Sequence, residues 1–509
     1  MQLEHWIAHV ALRTPEKTAI QFEGERITYS QFEELIGRLA WVLQNEFRVS
    51  PGDRVAHLAL NSPIVLALIF ACARIGAILV PLNYRLAHAE LAFLLSDCNP
   101  RVLFGAPRFL AELVSGHGAP ENCGLVAIDN ADSESDWDRL ADHLDDGGEI
   151  QAERQDSSDP SAPVLIVYTS GTTGRPKGAV LDQNALRWNA INSQHMHALT
   201  GDDHILTVLP FYHVGGLNVQ TLPALHFGAT VTLHREFDAA AVLSEITDSA
   251  VTLTVLVPTQ MRAIGELPQW PGTDLSTLRA VTTGSTIVDP GLLRTWEQRG
   301  VRTLQLYGCT ESCPIAVCQS IDDASSPLES VGREARHCRA RIVDEHQSQV
   351  DTMVRGEIQL QGQNLMREYW NNPEATSNAL CDGWLATGDI GYRDDDGNFY
   401  IVDRIKNMII SGGENIFPAE IERVLHMHPD IEEAAIVGLP DESWGEIVAA
   451  SIVKRPGAAL DQEALLNFLG DRLGRYKLPR RLFFESELPR NAMGKTDYQA
   501  LRDRLIDQA

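Results

Sequence analysis

The stretch from residue 164 to residue 178 limits most strongly what this 509-residue chain can fold into. Residues 164–168 are apolar or aromatic and predict a buried strand, which runs directly into a loop of glycine and hydroxyl-bearing residues. Glycines let backbone amides approach an anion closely, while hydroxyls and a lysine add donors and positive charge. The stretch therefore predicts a phosphate-binding loop, and its candidate contacts are Thr169, Ser170, Gly171, Thr172, Thr173, Gly174 and Lys177.

This loop does not follow the Walker pattern, in which Gly-Lys-Ser/Thr opens a helix. Here Lys177 is followed by Gly178 and then by an apolar run over residues 179–181. A flexible Ser/Gly-rich linker is the alternative interpretation, but linkers lack a preceding hydrophobic strand. We therefore favour a phosphate-binding loop of another kind.

Length and charge exclude several classes of protein. The chain is longer than a single core usually allows, so more than one domain is expected. Its formal charge of -27, from 69 acidic and 42 basic residues, disfavours binding to nucleic acid. The eight cysteines show no paired metal-ligand spacing, and the most membrane-like run, residues 64–80, is interrupted by Arg74 and Gly76. Because the N-terminus also lacks a signal-peptide pattern, we expect a cytoplasmic protein without integral membrane association.

Strand and helix patterns alternate along most of the chain, which predicts an α/β fold with a largely parallel, layered sheet. Ser30 is a candidate cap for a helix beginning at Gln31, and Asp182 for one beginning near Gln183. Residues 137–144 have the pattern of a short helix. Strands are expected at residues 54–60, 77–81, 205–209, 230–233, 253–257, 280–283 and 303–307.

A second polar turn, residues 307–311, follows the last of these strands, at the carboxyl end where α/β sheets bind ligands. Alone, this pentapeptide would more often be a ligand-free polar turn between a strand and a loop. Together with the phosphate loop it resembles the core motifs of the adenylate-forming superfamily, which contains acyl-CoA and aryl-CoA synthetases, firefly-type luciferases and the adenylation domains of peptide synthetases. Similar motifs continue in the expected order, so the resemblance covers nearly the whole chain.

The resemblance implies two domains. The large N-terminal domain, residues 1–405, would consist of layered α/β subdomains plus a β-rich part. A small mobile C-terminal α+β domain, residues 406–509, would follow, with the hinge near residues 404–407 at Lys406. It would rotate between two half-reactions, adenylation of a carboxylic acid and thioester formation.

The resemblance also assigns the nucleotide site. Tyr307 and Gly308 would lie against adenine, close to Gly284 and Ser285, although the surrounding Thr-Gly-Ser-Thr departs from the more usual Gly-Gly-Ala-Pro. Thr310 would bind a phosphate oxygen, and Glu311 would coordinate Mg²⁺, which prefers oxygen ligands. Asp389 and Arg404 would bind the ribose. Lys495 would bridge the carboxylate and the α-phosphate and stabilise the charge that develops there.

Coenzyme A would enter through the C-terminal domain. Gly412 and Gly413 would line the pantetheine passage, where a side chain would narrow it. Trp444 and Tyr476 match positions where some relatives hold the nucleotide end of CoA between aromatic rings, with Lys477 and Arg480 near its phosphates. Ordinary packing of half-exposed aromatic residues explains these two rings equally well.

The acyl pocket is assigned by resemblance to residues 211–218, residues 283–286 and the first residues after Tyr307, with His213 at its mouth to orient the carboxylate. These stretches contain no lysine or arginine, so a second substrate carboxylate would lack a partner. We therefore expect a single carboxylate with an apolar or aromatic tail. Glycines at positions 215, 216, 284 and 308 favour a medium-length or longer fatty acid if they leave room, although backbone geometry is an alternative reason for them.

Taken together, the sequence predicts a magnesium-dependent, AMP-forming carboxylate–CoA ligase that uses ATP and CoA. A fatty acid is favoured as the substrate, and an aryl, cinnamate-type or other small acid is the alternative. The competing functions are loading of a carrier protein, a luciferase-like oxygenase and a noncatalytic nucleotide-binding protein. The sequence does not fix the oligomeric state, and a homodimer is compatible with it.

Overall fold

The computed structural model describes residues 2–118, 120, 122–128, 137–144, 159–169, 175–323, 325–411, 414–441, 444–491 and 494–508. The chain divides into two compact units, one formed by Met1–Arg341 with Gln359–Ala386 and the other by Ile342–Ile358 with Thr387–Ala509. The domain boundary after residue 405, with a hinge at Lys406, stays a prediction from the sequence.

The elements have the following bounds. The helices are α1 (Trp6–Arg13), α2 (Tyr29–Asn45), α3 (Pro63–Ile75), α4 (His88–Cys98), α5 (Pro107–His117), α6 (Leu140–Leu144), α7 (Gln183–His197), α8 (Val214–Gly216), α9 (Leu222–Phe227), α10 (Ala239–Asp248), α11 (Pro258–Gly265), α12 (Pro290–Glu297), α13 (Pro373–Ala379), α14 (Pro418–Leu425), α15 (Gln462–Gly470) and α16 (Tyr498–Gln508). Strands of the first half are β1 (Thr18–Phe22), β2 (Glu25–Thr28), β3 (Arg54–Leu58), β4 (Ile78–Pro81), β5 (Val102–Gly105), β6 (Gly124–Ala127), β7 (Asp138–Arg139), β8 (Pro163–Thr169), β9 (Lys177–Asp182), β10 (His204–Thr207), β11 (Thr230–Leu233) and β12 (Leu253–Val255). The later strands are β13 (Ala280–Thr283), β14 (Arg302–Tyr307), β15 (Val317–Cys318), β16 (Arg333–Glu334), β17 (Cys338–Val343), β18 (Gly356–Gly362), β19 (Glu368–Tyr369), β20 (Leu380–Cys381), β21 (Trp384–Arg393), β22 (Phe399–Arg404), β23 (Ile409–Ser411), β24 (Glu414–Ile416), β25 (Ile431–Asp441), β26 (Gly445–Lys454) and β27 (Arg481–Glu485).

An eight-stranded sheet in the first unit carries the phosphate-loop strand. Its order is β19-β9-β8-β4-β3-β5-β6-β7, and the strands from β8 to β7 pair in parallel. Strands β8 and β9 form an antiparallel hairpin in which Thr169 pairs with Lys177. Strand β9 also pairs antiparallel with β19, so this hairpin joins a sheet whose other strands are parallel.

Helix α3 crosses between two parallel strands of this sheet and shows why the sequence folds this way. Pro63 occupies its first turn, and Gly76 ends it with a φ of 74°, a left-handed conformation that glycine adopts without strain. Apart from Ile64 every residue of α3 is buried, as expected for a helix that is apolar on all sides. The run over residues 64–80 that looked most like a membrane span is therefore a buried helix followed by strand β4. No helix in the described part of the chain is long and apolar enough to cross a membrane.

A nine-stranded sheet in the same unit has the order β16-β15-β14-β13-β12-β10-β11-β1-β2. Strands β10 to β14 are mutually parallel, which confirms the strands predicted from residue 205 to residue 307 with small changes at their ends. Thr283 pairs with Gln305, so the carboxyl ends of β13 and β14 lie side by side. Two buried tryptophans, Trp270 and Trp296, pack with their ring centroids 4.6 Å apart and their planes tilted by 56°, in the core between this sheet and its helices.

The second unit contains a five-stranded sheet of order β24-β23-β26-β25, with β27 paired to β26. Helix α14 begins at Pro418, a residue suited to the first turn of a helix, and buries Ile421 and Leu425 completely against this sheet. Burial of each such side chain stabilises the fold by roughly 1.5–3 kcal/mol. A separate five-stranded sheet has the order β17-β18-β21-β20, with β22 paired to β21.

Two local predictions are wrong and one is confirmed. Thr28, not Ser30, caps α2, because its hydroxyl accepts a hydrogen bond from the Gln31 amide and the Gln31 side chain accepts one from the Thr28 amide. The predicted helix at 137–144 divides into β7 and α6, since residues 138 and 139 pair with β6. Asp182 does cap α7, accepting a hydrogen bond from the Ala185 amide at 2.7 Å.

Candidate active site

The two residues that flank the predicted phosphate loop, Thr169 and Lys177, are held together by strand pairing. Thr169 ends β8, and its hydroxyl donates to the backbone oxygen of Lys177 at 3.4 Å. Tyr168, one residue earlier, donates from its hydroxyl to Asp97 at 2.5 Å, and burial raises the pKa of this phenol. The base of the hairpin is thereby tied to helix α4. The predicted contacts Ser170, Gly171, Thr172, Thr173 and Gly174 lie outside the described residues.

The second predicted motif turns sharply at the end of β14. A β-carbon on Gly308 would lie 1.7 Å from the Pro314 backbone oxygen, so only glycine fits there. Thr310 and Glu311 follow in a single 3-10 turn, Thr310–Ser312. The Glu311 backbone oxygen accepts a hydrogen bond from the Met366 amide at 2.6 Å, and its carboxylate Oε1 accepts one from the Tyr369 hydroxyl at 2.7 Å. The turn and the carboxylate are therefore both fixed.

Gly284 and Ser285 lie beside this motif, because they follow β13 directly and Thr283 pairs with Gln305 of β14. A β-carbon on Gly284 would meet the Leu306 backbone oxygen at 2.8 Å. Ser285 adopts a left-handed φ of 72°, which turns the chain away from the sheet. The structure therefore brings the predicted adenine-site residues Gly284, Ser285, Tyr307 and Gly308 to one edge of one sheet.

The predicted acyl stretch, residues 211–218, forms the short helix α8 and the start of a π-helical turn, Leu217–Thr221. Phe211 and Leu217 are buried, and the ring of His213 lies 4.8 Å from that of Tyr212. A β-carbon on Gly216 would lie 2.5 Å from the Pro210 backbone oxygen. The glycines at 216, 284 and 308 are thus required by neighbouring backbone, which removes most of the reason for inferring a long acyl chain from them.

Asp389 and Arg404, predicted to hold the ribose, meet in the second unit. They are paired residues on the antiparallel strands β21 and β22, and the Arg404 Nε lies 2.8 Å from the Asp389 carboxylate. Asp389 is buried, while the Arg404 side chain is about half exposed. A buried carboxylate beside an accessible guanidinium offers acceptors and donors suited to a sugar diol.

Lys406 and Lys495 belong to the same unit. Lys495 follows Gly494, which has a φ of 74°, in a turn closed by a hydrogen bond from the Asn491 amide to the Lys495 backbone oxygen at 2.9 Å. Although both lysines reach the surface, loss of solvent around their ammonium groups lowers the pKa of each, and the Arg404 guanidinium lowers it further. Both lysines therefore lie in the electrostatic field of Arg404, one of the two proposed ribose ligands.

The two aromatic residues predicted for CoA are exposed but already contacted. The Arg480 guanidinium lies 3.9 Å from the centroid of the Trp444 ring, and the Lys477 ammonium lies 5.4 Å from that of Tyr476. Lys477 also forms an ion pair with Glu420 at 2.6 Å. Each of the two rings therefore already has a cationic side chain of the protein over it, and a role for these residues with CoA stays a prediction. Gly412 and Gly413 lie outside the described residues.

A divalent cation at this site would be held mainly by the phosphates of the bound nucleotide. In the part of the chain that the structure describes, no group of three or more His, Cys, Asp or Glu side chains could hold a metal ion. Mg²⁺ usually keeps several waters and binds one or two carboxylates together with substrate phosphates. Glu311, a single oriented carboxylate after β14, fits this kind of site.

Sequence reasoning missed two side chains that organise these motifs. Tyr369 contacts Glu311 across 58 residues of sequence. Asp403 accepts a hydrogen bond from the Ala419 amide at 2.7 Å and so caps α14 from strand β22. An aspartate beside the predicted ribose arginine was a signal for a cap, but nothing local in the sequence indicates the partner of Tyr369.

Comparison with known proteins gives consistent results over the whole chain. The family profile described as AMP-binding enzyme matches residues 7–370, and the profile described as AMP-binding enzyme C-terminal domain matches residues 420–495. An indoleacetate–CoA ligase of Aromatoleum aromaticum is 48% identical and covers 97% of this chain and 96% of its own length. A feruloyl-CoA synthase of an Amycolatopsis species is 38% identical and covers 97% of each chain. The solved structure of ATP-bound MatB from Rhodopseudomonas palustris has 29% identity and a TM-score of 0.89 over 100% of both chains.

Proposed function

Because the chain belongs to the AMP-binding enzyme family and is an AMP-forming acid–CoA ligase, we propose that its substrate is a monocarboxylic acid with an aromatic ring. Arylacetic and hydroxycinnamic acids are the substrate classes considered. The observation that carries the proposal is the 48% identity, over nearly the full length of both chains, to a ligase named for an indole acid.

The features of the acyl stretches support this choice over the fatty acid that the sequence favoured. Four glycines favoured a long acyl chain, but at three of them, Gly216, Gly284 and Gly308, a β-carbon would collide with a neighbouring backbone oxygen. Tyr84 stacks on Phe109 with ring centroids 5.1 Å apart, and it meets Tyr212 edge-on at 5.4 Å, so aromatic side chains adjoin residues 211–218. Aromatic rings pack favourably against one another in such offset and edge-on arrangements. The aryl alternative therefore fits better.

In the first half-reaction a carboxylate oxygen of the acid attacks the α-phosphorus of ATP, and the bond to the β-phosphate breaks as pyrophosphate leaves. We assign the phosphate loop and Thr310 to holding the phosphates, and Lys495 to stabilising the charge on the attacking carboxylate and the α-phosphate. Glu311 would hold Mg²⁺, which supplies charge neutralisation at the phosphates when bound. His213 would orient the carboxylate at the mouth of the acyl pocket.

In the second half-reaction the thiol of CoA attacks the acyl carbon and AMP leaves with the electrons of the acyl–phosphate bond. The thiol proton is released as the thioester forms. We assign Gly412 and Gly413 to the pantetheine passage and Lys406 to the hinge about which the C-terminal domain rotates between the two reactions. Asp389 and Arg404 would hold the ribose in both.

A substrate panel tests the proposal. Purified enzyme with ATP, Mg²⁺ and CoA is given indole-3-acetate, phenylacetate, ferulate or decanoate, and pyrophosphate release and acyl-CoA formation are followed. We expect kcat/KM for the best aromatic acid to exceed that for decanoate by at least about tenfold, the scale on which a pocket discriminates poorly fitting groups. Equal or better turnover of decanoate would contradict the aromatic assignment while leaving the ligase chemistry intact.

The same panel separates the competing functions. Acyl transfer to a phosphopantetheinylated carrier protein, with no acyl-CoA formed, would identify a carrier-loading enzyme. Oxygen uptake with a supplied acyl-adenylate would identify an oxygenase. Binding of ATP without release of pyrophosphate for any acid would identify a noncatalytic nucleotide-binding protein.

A further inference from the structure

Tyr369 joins two parts of the proposed nucleotide site that are far apart in sequence. It is largely buried, 9% exposed, in the two-residue strand β19. Its hydroxyl donates to Oε1 of Glu311 at 2.7 Å, and the ammonium of Lys177 lies 5.2 Å from the centroid of its ring. One side chain therefore contacts both the proposed cation ligand and the lysine that follows the phosphate loop.

The backbone around Tyr369 fixes where its ring lies. Tyr369 pairs with Ala179 of β9, and the flanking amides of Arg367 and Trp370 donate to the backbone oxygens of Val180 and Gly178 at 2.9 and 2.7 Å. Met366 donates from its amide to the backbone oxygen of Glu311 at 2.6 Å. The segment from residue 366 to residue 370 is thus attached to β9 on one side and to the Glu311 turn on the other.

We propose that Tyr369 is a positioning residue that orients the Glu311 carboxylate for the divalent cation accompanying ATP and keeps Lys177 from pairing with that carboxylate. The inference rests on the proposed function, in which Glu311 holds the cation and Lys177 contacts phosphate. It concerns a residue of the chain to which the sequence motifs assign no role.

The two halves of this role have separate physical grounds. A carboxylate has two oxygens, and a hydrogen bond to Oε1 fixes the plane of the group, so that the carboxylate would be held in one orientation for a cation. The face of an aromatic ring attracts an ammonium without neutralising it, so Lys177 stays charged and available to phosphate. Within the described residues Lys177 and Glu311 form no ion pair, although both contact Tyr369.

The test measures cation binding directly. Mn²⁺ is titrated into wild-type and Tyr369→Phe enzyme by electron paramagnetic resonance, in the presence of a saturating nonhydrolysable ATP analogue. Tyr369→Phe keeps the ring over Lys177 but removes the hydroxyl, so we expect about ten- to a hundredfold weaker Mn²⁺ binding, as is typical when a group that orients a metal ligand is lost. Binding of the analogue without a cation should change less than about threefold, because the ring still screens Lys177.

A matched control is Tyr400→Phe, which removes a similar hydrogen bond, from Tyr400 to the Asp394 carboxylate at 3.0 Å, in the β21–β22 hairpin. This variant should bind Mn²⁺ like the wild type. A double-mutant cycle with Glu311→Gln tests the route of the effect, since Tyr369→Phe should add less than about twofold once the carboxylate is gone.

The outcomes distinguish failure of the proposed cation site from failure of the positioning role of Tyr369. If wild-type enzyme with the analogue binds no Mn²⁺, the proposed cation site itself fails. If the wild type binds Mn²⁺ and Tyr369→Phe binds it equally well, the positioning role is overturned. A lower Tm for Tyr369→Phe with unchanged Mn²⁺ affinity would also overturn it, because the residue would then serve stability alone.

Discussion

A buried carboxylate in the second unit, Glu422, makes stability depend on pH in a direction that can be worked out. Glu422 of α14 accepts hydrogen bonds from the Ile436 amide at 2.8 Å and from the Tyr498 hydroxyl at 3.1 Å. The pKa of Glu422 is raised from the usual 4.5 to about 7, because burial and, to a smaller extent, nearby Asp403 raise it by more than these two hydrogen bonds lower it. The folded protein therefore keeps a proton that the unfolded chain has already released.

The sign follows from this difference in bound protons. Between pH 4.5 and pH 7 the native state binds more protons than the unfolded state at this site, so the free energy of unfolding falls as pH rises. Above pH 7 the raised pKa of Glu422 lowers the free energy of unfolding by about 3 kcal/mol. At pH 4 it lowers the free energy of unfolding by only about 0.2 kcal/mol. Glu422→Gln keeps an acceptor for the Ile436 amide and removes the titration. The variant should gain stability relative to the wild type as pH rises.

Hydrogen exchange of the peptide over residues 418–441 measures this gain, with both proteins compared at the same pH so that intrinsic exchange rates cancel. At pH 8 we expect up to about hundredfold slower exchange in Glu422→Gln, and at pH 4 equal exchange within about twofold. Glu433→Gln, which breaks a partly exposed ion pair with Arg490, is the control and should change stability by under about 1 kcal/mol. A difference between Glu422→Gln and wild type that is independent of pH, or largest at pH 4, would refute the reasoning.

Three further substitutions test the proposed site. Gly308→Ala should lower Tm and reduce pyrophosphate release by about a hundredfold or more, because the new β-carbon would overlap the Pro314 backbone oxygen. The control is Gly265→Ala, which should change neither, because no atom lies within 4 Å of its new β-carbon. Lys495→Ala should abolish pyrophosphate release but spare thioester formation from supplied acyl-adenylate, and loss of both would contradict its role. Trp444→Ala should raise the KM for CoA with adenylation unchanged, since it removes the ring beneath Arg480, and unchanged CoA kinetics would exclude that ring from the CoA site.

Local sequence signals located most of the fold. The parallel strands from residue 205 to residue 307 were predictable because each is a short apolar run bounded by polar turns, and Asp182 was predictable as a cap because it precedes a helical pattern. The cap of α2 was misplaced by two residues. Thr28 and Ser30 both carry hydroxyls that could cap the helix. Thr28 is the cap because it and Gln31 exchange two hydrogen bonds, each side chain accepting from the backbone amide of the other residue.

The contacts that organise the site were less accessible, because they join distant parts of the chain. The strand register that places Gly284 beside Leu306, and the hydrogen bond from Tyr369 to Glu311, depend on tertiary structure. The reason for the glycines of the predicted acyl pocket also depends on tertiary structure. Their presence was plain in the sequence, but only the position of the Pro210, Leu306 and Pro314 backbone oxygens distinguishes a steric requirement from room for a substrate.

The central claim is that a carboxylate oxygen of the acid attacks the α-phosphorus of ATP. Indole-3-acetate labelled with ¹⁸O in its carboxylate, incubated with the enzyme, ATP, Mg²⁺ and CoA, tests this by mass spectrometry of the nucleotide and phosphate products. The account predicts unlabelled pyrophosphate and AMP that carries one ¹⁸O atom, since the bridging oxygen stays with phosphorus when the thiol attacks the acyl carbon. Formation of ADP, with the label in inorganic phosphate, would contradict it.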